Sequence, residues 1–220
     1  KSGSPATGGE TGEGEERDRA GKFFVVKMKV IKKKEVIDMK LMIASDIHGS
    51  AYYCRKLLEA YTEEGADRLL LLGDILYHGP RNDLPRDYAP KEVIALLNER
   101  KNDIYCVRGN CDTEVDQMVL EFPVLSDYCV LAEGTQAIYA THGHIYNEQK
   151  LPPLHSGDIL LHGHTHVPKC VVHETEQYIC MNPGSVSIPK EESWHGYMIW
   201  EGKNFVWKDF DGQENLRYSV

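Results

Sequence analysis

The stretch ILLHGHTHVP, residues 159–168, sets His162, His164 and His166 directly behind an apolar run that reads as a buried strand. A single imidazole in that place would cap the strand and meet solvent. Three in alternation ask for more, because side chains two apart in extended backbone share a face and can be presented together. Neutral imidazole ligates transition metals, so the pattern calls for further donors elsewhere in the chain. Such donors follow other apolar runs: SDIHG carries Asp46 and His48, LLGD carries Asp74, VRGN carries Asn110, and THGH carries His142 and His144. Each fragment alone is as well explained by a turn. Their succession at strand ends points to one crevice, since ligands of open α/β sheets gather outside the carboxyl ends of the strands.

The elements that must position these residues alternate from Met39 onward. KLMIAS, DRLLLLGD and DIYCVRGN read as buried strands. Between them, SAYYCRKLLEAYTEEG reads as a helix with Ser50 as N-cap and Gly65 as its stop, and APKEVIALLNERK as a helix with Pro90 in its first turn. A third helix is expected around TEVDQMVLE. After it come only short strands, in DYCVLAE, TQAIYATHG, GDILLHG, KCVVHE, QYICMNPGS, GYMIWEG and NFVWKDF. This order predicts an α/β fold of two sheets packed face to face, with helices on the outer sides.

Residues 1–38 stand apart. The first twenty-one are rich in Gly, Glu, Ser and Thr and cannot repay ordering by burial, so they are expected to be disordered. KFFVVKMKVIKKKEVID fits either a short edge strand or a basic amphipathic helix. Met39 reads as a natural start, which makes 1–38 a non-native or disordered extension and 39–220 the single domain. A chain of 220 residues is long enough for one sizeable core and short for two enzyme domains.

Composition narrows the partners. With 25 Lys and Arg against 34 Asp and Glu, a formal charge of −9, the chain lacks the basic surplus of an extended nucleic-acid surface. A small charged substrate held by metal remains compatible. Six cysteines without a CxxC pair read as reduced thiols in a cytoplasmic protein. No apolar run nears the ~18 residues of a membrane span, so no membrane partner is expected. Self-association into a homo-oligomer stays open.

In this order D-x-H, G-D, G-N, H and G-H-x-H resemble the calcineurin-like metallophosphoesterases, from Met39 to about Lys190. ASDIHGS, GDILYHGPRN, RGNCD, THGH, GHTH and NPGSVSIPK resemble in particular the small bacterial phosphodiesterases of that family. The resemblance implies a four-layer α/β/β/α sandwich. It also implies Asp46, His48 and His166 on one metal, Asn110, His142 and His164 on a second, and Asp74 bridging the two. Oxygen and imidazole donors without thiolate suit two divalent ions such as Mn²⁺, with Zn²⁺, Fe²⁺ and Ni²⁺ as alternatives. Two such ions roughly 3.5–4 Å apart would acidify a shared water into a hydroxide for in-line attack on a small phosphodiester.

Other residues take secondary roles in this reading. His144 and His162 would support the ligands from behind. His78 and Arg81, in the loop HGPRN, are candidates beside Asp74 and Asn110 for catalysis, with Arg81 gripping a phosphate oxygen and a merely solvated loop as the alternative. NPGSVS reads as a tight turn that needs Gly184 and supports the site structurally. One departure stands out: many family members carry a histidine after G-N, the general acid for the leaving group, and this chain has Cys111. A thiol of pKa near ~8.5 replaces it poorly, so His78 or His144 serves or no dedicated acid exists. Two rival readings are a phosphomonoesterase or nuclease on the same site, and a binding module that keeps the fold as an interaction surface.

Overall fold

The computed structural model describes residues 39–220, together with the backbone of two strands before them, β1 (Glu13–Arg17) and β2 (Phe23–Lys27), which pair antiparallel. Phe23–Lys27 is therefore extended rather than helical. Glu13–Arg17 is likewise extended, within the first twenty-one residues for which disorder was expected; the remaining expectations for residues 1–38 lie outside the described residues.

Within Asp38–Val220 the apolar runs become two mixed sheets. The first holds β3 (Leu41–Ala44), β4 (Arg68–Leu71) and β5 (Ile104–Cys106) in parallel, followed beyond β3 by the antiparallel β11 (Gly196–Glu201), β12 (Asn204–Asp209) and β13 (Glu214–Ser219). The second has the order β6 (Tyr128–Glu133), β7 (Gln136–Thr141), β8 (Ile159–Leu161), β10 (Tyr178–Asn182) and β9 (Lys169–His173), with β7, β8 and β10 parallel. Continuous burial in β3 has a simple cause: Met42 and Ala44 face helices while Leu41 and Ile43 face the other sheet. Leu41, Ile43, Leu70 and Leu72 meet Ile138, Ala140, Ile159, Leu161 and Met181 in the core between the sheets, and Trp207 closes it. Non-directional apolar contact of this kind is the main stabilising term of such a sandwich.

Helix α1 (Ala51–Glu64) begins and ends where its sequence signals stand. The Ser50 hydroxyl accepts the Tyr53 N–H at 3.3 Å, and Gly65 takes the left-handed conformation at φ 61°. Helix α2 (Pro90–Asn98) has Pro90 in its first turn and buries Val93 and Leu97, and α3 (Glu114–Val119) is a short capped turn with no buried residue. Among the described residues all helices precede β6. The outer face of the second sheet buries Leu160, Tyr178 and Cys180 under Leu154 from the loop between β7 and β8. Strand β13, absent from the sequence reading, pairs along β12 at a sheet edge.

Candidate metal centre

Each candidate ligand stands just beyond a strand. Asp46 and His48 follow β3, Asp74 follows β4, Asn110 follows β5, His142 follows β7, and His164 and His166 follow β8. The chain turns sharply there: Asp46, His48, Asp74, His164 and His166 all have φ between 50 and 66°. For residues with a Cβ this left-handed backbone costs roughly 1 kcal/mol or more each. One expectation needs correction on this point. β8 ends at Leu161, so His162–His166 is a looped segment and not an extended strand end presenting three imidazoles on one face. His164 and His166 reach the ligand cluster through left-handed turns. His162 lies away from it, its Nε2 3.4 Å from Cys180 Sγ and its Nδ1 3.4 Å from Asn182 Nδ2.

Two sets of hydrogen bonds hold these turns. Ser185 and Ser187 donate their hydroxyls to the Asp46 carbonyl at 2.9 and 3.1 Å, from the NPGSVS turn in which Gly184 has φ 83°. Asp112, which the sequence reading passed over, is buried and accepts the N–H groups of Gly109, Asp74 and Ile75 at 2.7, 2.8 and 2.9 Å. It ties the β5 loop to the β4 loop and so fixes Asp74 relative to Asn110. That junction leaves no room for a side chain at Gly109, where an added Cβ would lie 2.1 Å from Asp74 Oδ1. Gly109→Ala is expected to lower unfolding free energy by about 1–3 kcal/mol and to displace Asp74. Urea unfolding together with metal content checks this, and an unchanged midpoint with full metal would refute it.

The side chains form two adjoining groups. His48 Nε2 and His166 Nε2 stand 3.2 Å apart and lie 3.5 and 3.2 Å from Asp46 Oδ1. His142 Nε2 lies 3.1 Å from both Asn110 Oδ1 and His164 Nδ1, and 3.5 Å from Asp74 Oδ2. Asp74 Oδ2 is also 3.7 Å from His48 Nε2, which puts this one oxygen between the groups.

The far nitrogens explain the orientation. His48, His142 and His166 donate Nδ1–H to the carbonyls of Tyr77, Leu72 and Ile188 at 2.7, 2.6 and 2.6 Å, leaving each Nε2 for the site. Burial alone would raise the Asp46 carboxyl, but the neighbouring His166 and His48 imidazoles outweigh it and hold the group well below the usual range. Burial pulls the His142 imidazole down, yet the Asp74 carboxylate and the Asp46 charge outweigh it and raise it to about 9. A metal taking that nitrogen has to displace a proton. Burial, then the charge of His142, lowers His164 to about 4, so its lone pair is available at neutral pH. Asp46 Oδ1 is buried and has no hydrogen-bond partner. A bare carboxylate oxygen facing aimed imidazoles fits a divalent cation, and the Asp46, His48, His166 and Asp74, His142, His164 donors each lie within 4.8 Å of one another.

Residues 39–204 match the calcineurin-like phosphoesterase superfamily domain. The chain belongs to that superfamily. Phosphodiesterase YfcE of Escherichia coli strain K12 is 48% identical over 152 residues, which are 69% of this chain and 82% of YfcE. A solved structure of YfcE, described as a phosphoesterase, matches with a TM-score of 0.79 at 40% identity, covering 83% of this chain and all of that one. Vacuolar Protein Sorting 29 from Cryptosporidium parvum shares the fold at a TM-score of 0.52 and 19% identity, over 84% of this chain and 100% of its own.

Beside the ligands, this calcineurin-like phosphoesterase has a cavity of about 390 Å³ lined by Arg81, Asn82, Cys111, Thr165 and Lys190 in front of Asp74, His164 and His166. Arg81 lines this cavity from the loop that follows Asp74. His78 does not line the cavity; its ring packs edge-on to Tyr77 and Tyr88, with centroids 4.8 and 5.2 Å away. His144 is half-buried with its ring 5.4 Å from that of His142, and likewise off the cavity wall. The Cys111 thiol is pushed far up by burial and then by the Asp74 carboxylate. Lys190 was missed, and only its place at the end of NPGSVSIPK hinted at it.

Proposed function

We propose that this protein is a binuclear metal-dependent phosphodiesterase acting on small diesters, with Mn²⁺ as its working metal. The observation that carries this reading is the position of Asp74 Oδ2, within 3.7 Å of His48 Nε2 and 3.5 Å of His142 Nε2, where one carboxylate can serve both ligand groups. The name and 48% identity of phosphodiesterase YfcE support the diester as substrate class. Bound there, two divalent ions would acidify a shared water for in-line attack and neutralise the phosphoryl oxygens.

The chain's own residues do the rest. Asp46, His48 and His166 form one cradle; Asn110, His142 and His164 form the other, with their orientation set by backbone carbonyls and by the Asp112 junction. Arg81, on the cavity wall, grips a non-bridging phosphate oxygen with its planar fork. Among the described residues no helix is long and apolar enough to cross a membrane. All six thiols are free, which supports a reducing compartment such as the cytoplasm.

Metal analysis of protein purified without chelator, followed by a substrate panel, tests the reading. Exhaustive chelation is expected to abolish hydrolysis of bis(4-nitrophenyl) phosphate, and Mn²⁺ to restore it. Full activity without metal would reject the mechanism, and faster hydrolysis of 4-nitrophenyl phosphate or of oligonucleotides would reassign the substrate class.

A further inference from the structure

The proposed chemistry does not account for Lys190. Lys190 lines the same cavity as Arg81, and among the described residues neither cation is in an ion pair. Their placement has structural causes on two separate loops. Lys190 N–H donates to the carbonyl of His166 at 3.1 Å, and the Lys190 carbonyl accepts the Ser193 N–H at 3.0 Å and the Ser193 hydroxyl at 2.6 Å. His166 Nδ1–H in turn holds the Ile188 carbonyl at 2.6 Å. The turn carrying Lys190 is thus fastened at both ends of a candidate ligand, while its side chain is exposed.

Charge matching shows what this cation is for. A diester monoanion and the attacking hydroxide together balance the charge that two divalent ions leave on Asp46 and Asp74. Arg81 and Lys190 are additional to that balance, in a chain whose formal charge is −9. Two unpaired cations kept beside the site in so acidic a protein focus a further anion. Resting on the phosphodiesterase reading above, we infer that the substrate is a phosphodiester bearing a second anionic phosphoryl group, held by Lys190, with Arg81 on the reacting phosphate.

A matched pair of substrates isolates the second group: thymidine 5′-(4-nitrophenyl phosphate) and the same compound phosphorylated on its 3′ oxygen. Both release 4-nitrophenol, so they differ only in the added phosphate. The Mn²⁺-loaded protein is expected to show a kcat/KM about tenfold higher for the 3′-phosphorylated compound, the factor that one charge-assisted hydrogen bond supplies. Lys190→Gln should bring the ratio close to one through KM, and Lys190→Arg should keep most of it. Because the turn is anchored by backbone groups, the Gln variant is expected to keep its melting temperature. Calorimetry gives a readout apart from turnover: thymidine 3′,5′-bisphosphate should bind about tenfold tighter than thymidine 5′-monophosphate, and only with Lys190 or Arg at that position. Equal kcat/KM for both compounds, or a ratio that survives Lys190→Gln, overturns the inference and leaves the phosphodiesterase reading intact. Hydrolysis of neither compound overturns that reading itself.

Discussion

Asp74→Asn should lower kcat/KM for bis(4-nitrophenyl) phosphate by on the order of 10²–10³-fold, the scale on which losing one charge-stabilising group in a closed site is felt. The carboxylate is 2% exposed and has Oδ1 committed to the Cys111 N–H at 2.8 Å, so only Oδ2 faces the two ligand groups. An amide keeps the shape but removes the charge that offsets repulsion between two dications. Metal content per chain should fall together with the rate, and the pair of readouts matters. A variant with normal rate and full metal would remove Asp74 from the bridging role. A variant with full metal but a slow rate would assign its effect to chemistry and not to metal retention.

The second large effect concerns the leaving group. None of the groups weighed for protonating the leaving oxygen serves from the cavity wall: the Cys111 thiol is pushed far up by burial and by Asp74, His78 and His144 lie off the wall, and Lys190 is assigned to the second phosphoryl group. A positioned general acid is worth ~10²–10⁴ in rate. Without one, aryl diesters should be cleaved faster than alkyl diesters by at least that factor, and the rate should depend steeply on the leaving-group pKa. Cys111→His should flatten the dependence, and Cys111→Ala should leave it steep. Should the starting protein instead show a shallow dependence that becomes steep on His78→Ala or His144→Ala, a loop histidine donates the proton and the reading of Cys111 is wrong.

The parts legible in the sequence are those in which apolar continuity and a strand end coincide. KLMIAS and DRLLLLGD are buried on both faces, so their composition announces both the strand and the polar residue at which it stops. Ser50, Gly65 and Pro90 marked helix ends because each satisfies a local backbone requirement. Strand β13, ENLRYS, has no buried residue and holds its place by pairing along β12, a contact distant from any local pattern. Asp112 escaped notice for a related reason: its work is to accept N–H groups from positions 109, 74 and 75, two of them far away in the chain. Lys190 depends on the register of a turn. The looped course of His162–His166 depends on left-handed backbone at His164 and His166, which histidine adopts more often than most residues but not often enough to announce a turn.

Those left-handed residues bear on how the protein can be engineered. Asp46, His48, Asp74, His164 and His166 all sit in backbone that glycine would adopt more readily. A library screened for heat resistance in the presence of chelator would therefore favour losing the very side chains that define the site, since glycine there relieves strain and no bound ion compensates for it. Screening for stability without also selecting for turnover would drift toward inert, sturdier sandwiches. Thermostable variants are better sought in the helical layer around α1 and α2, where side chain and backbone already agree.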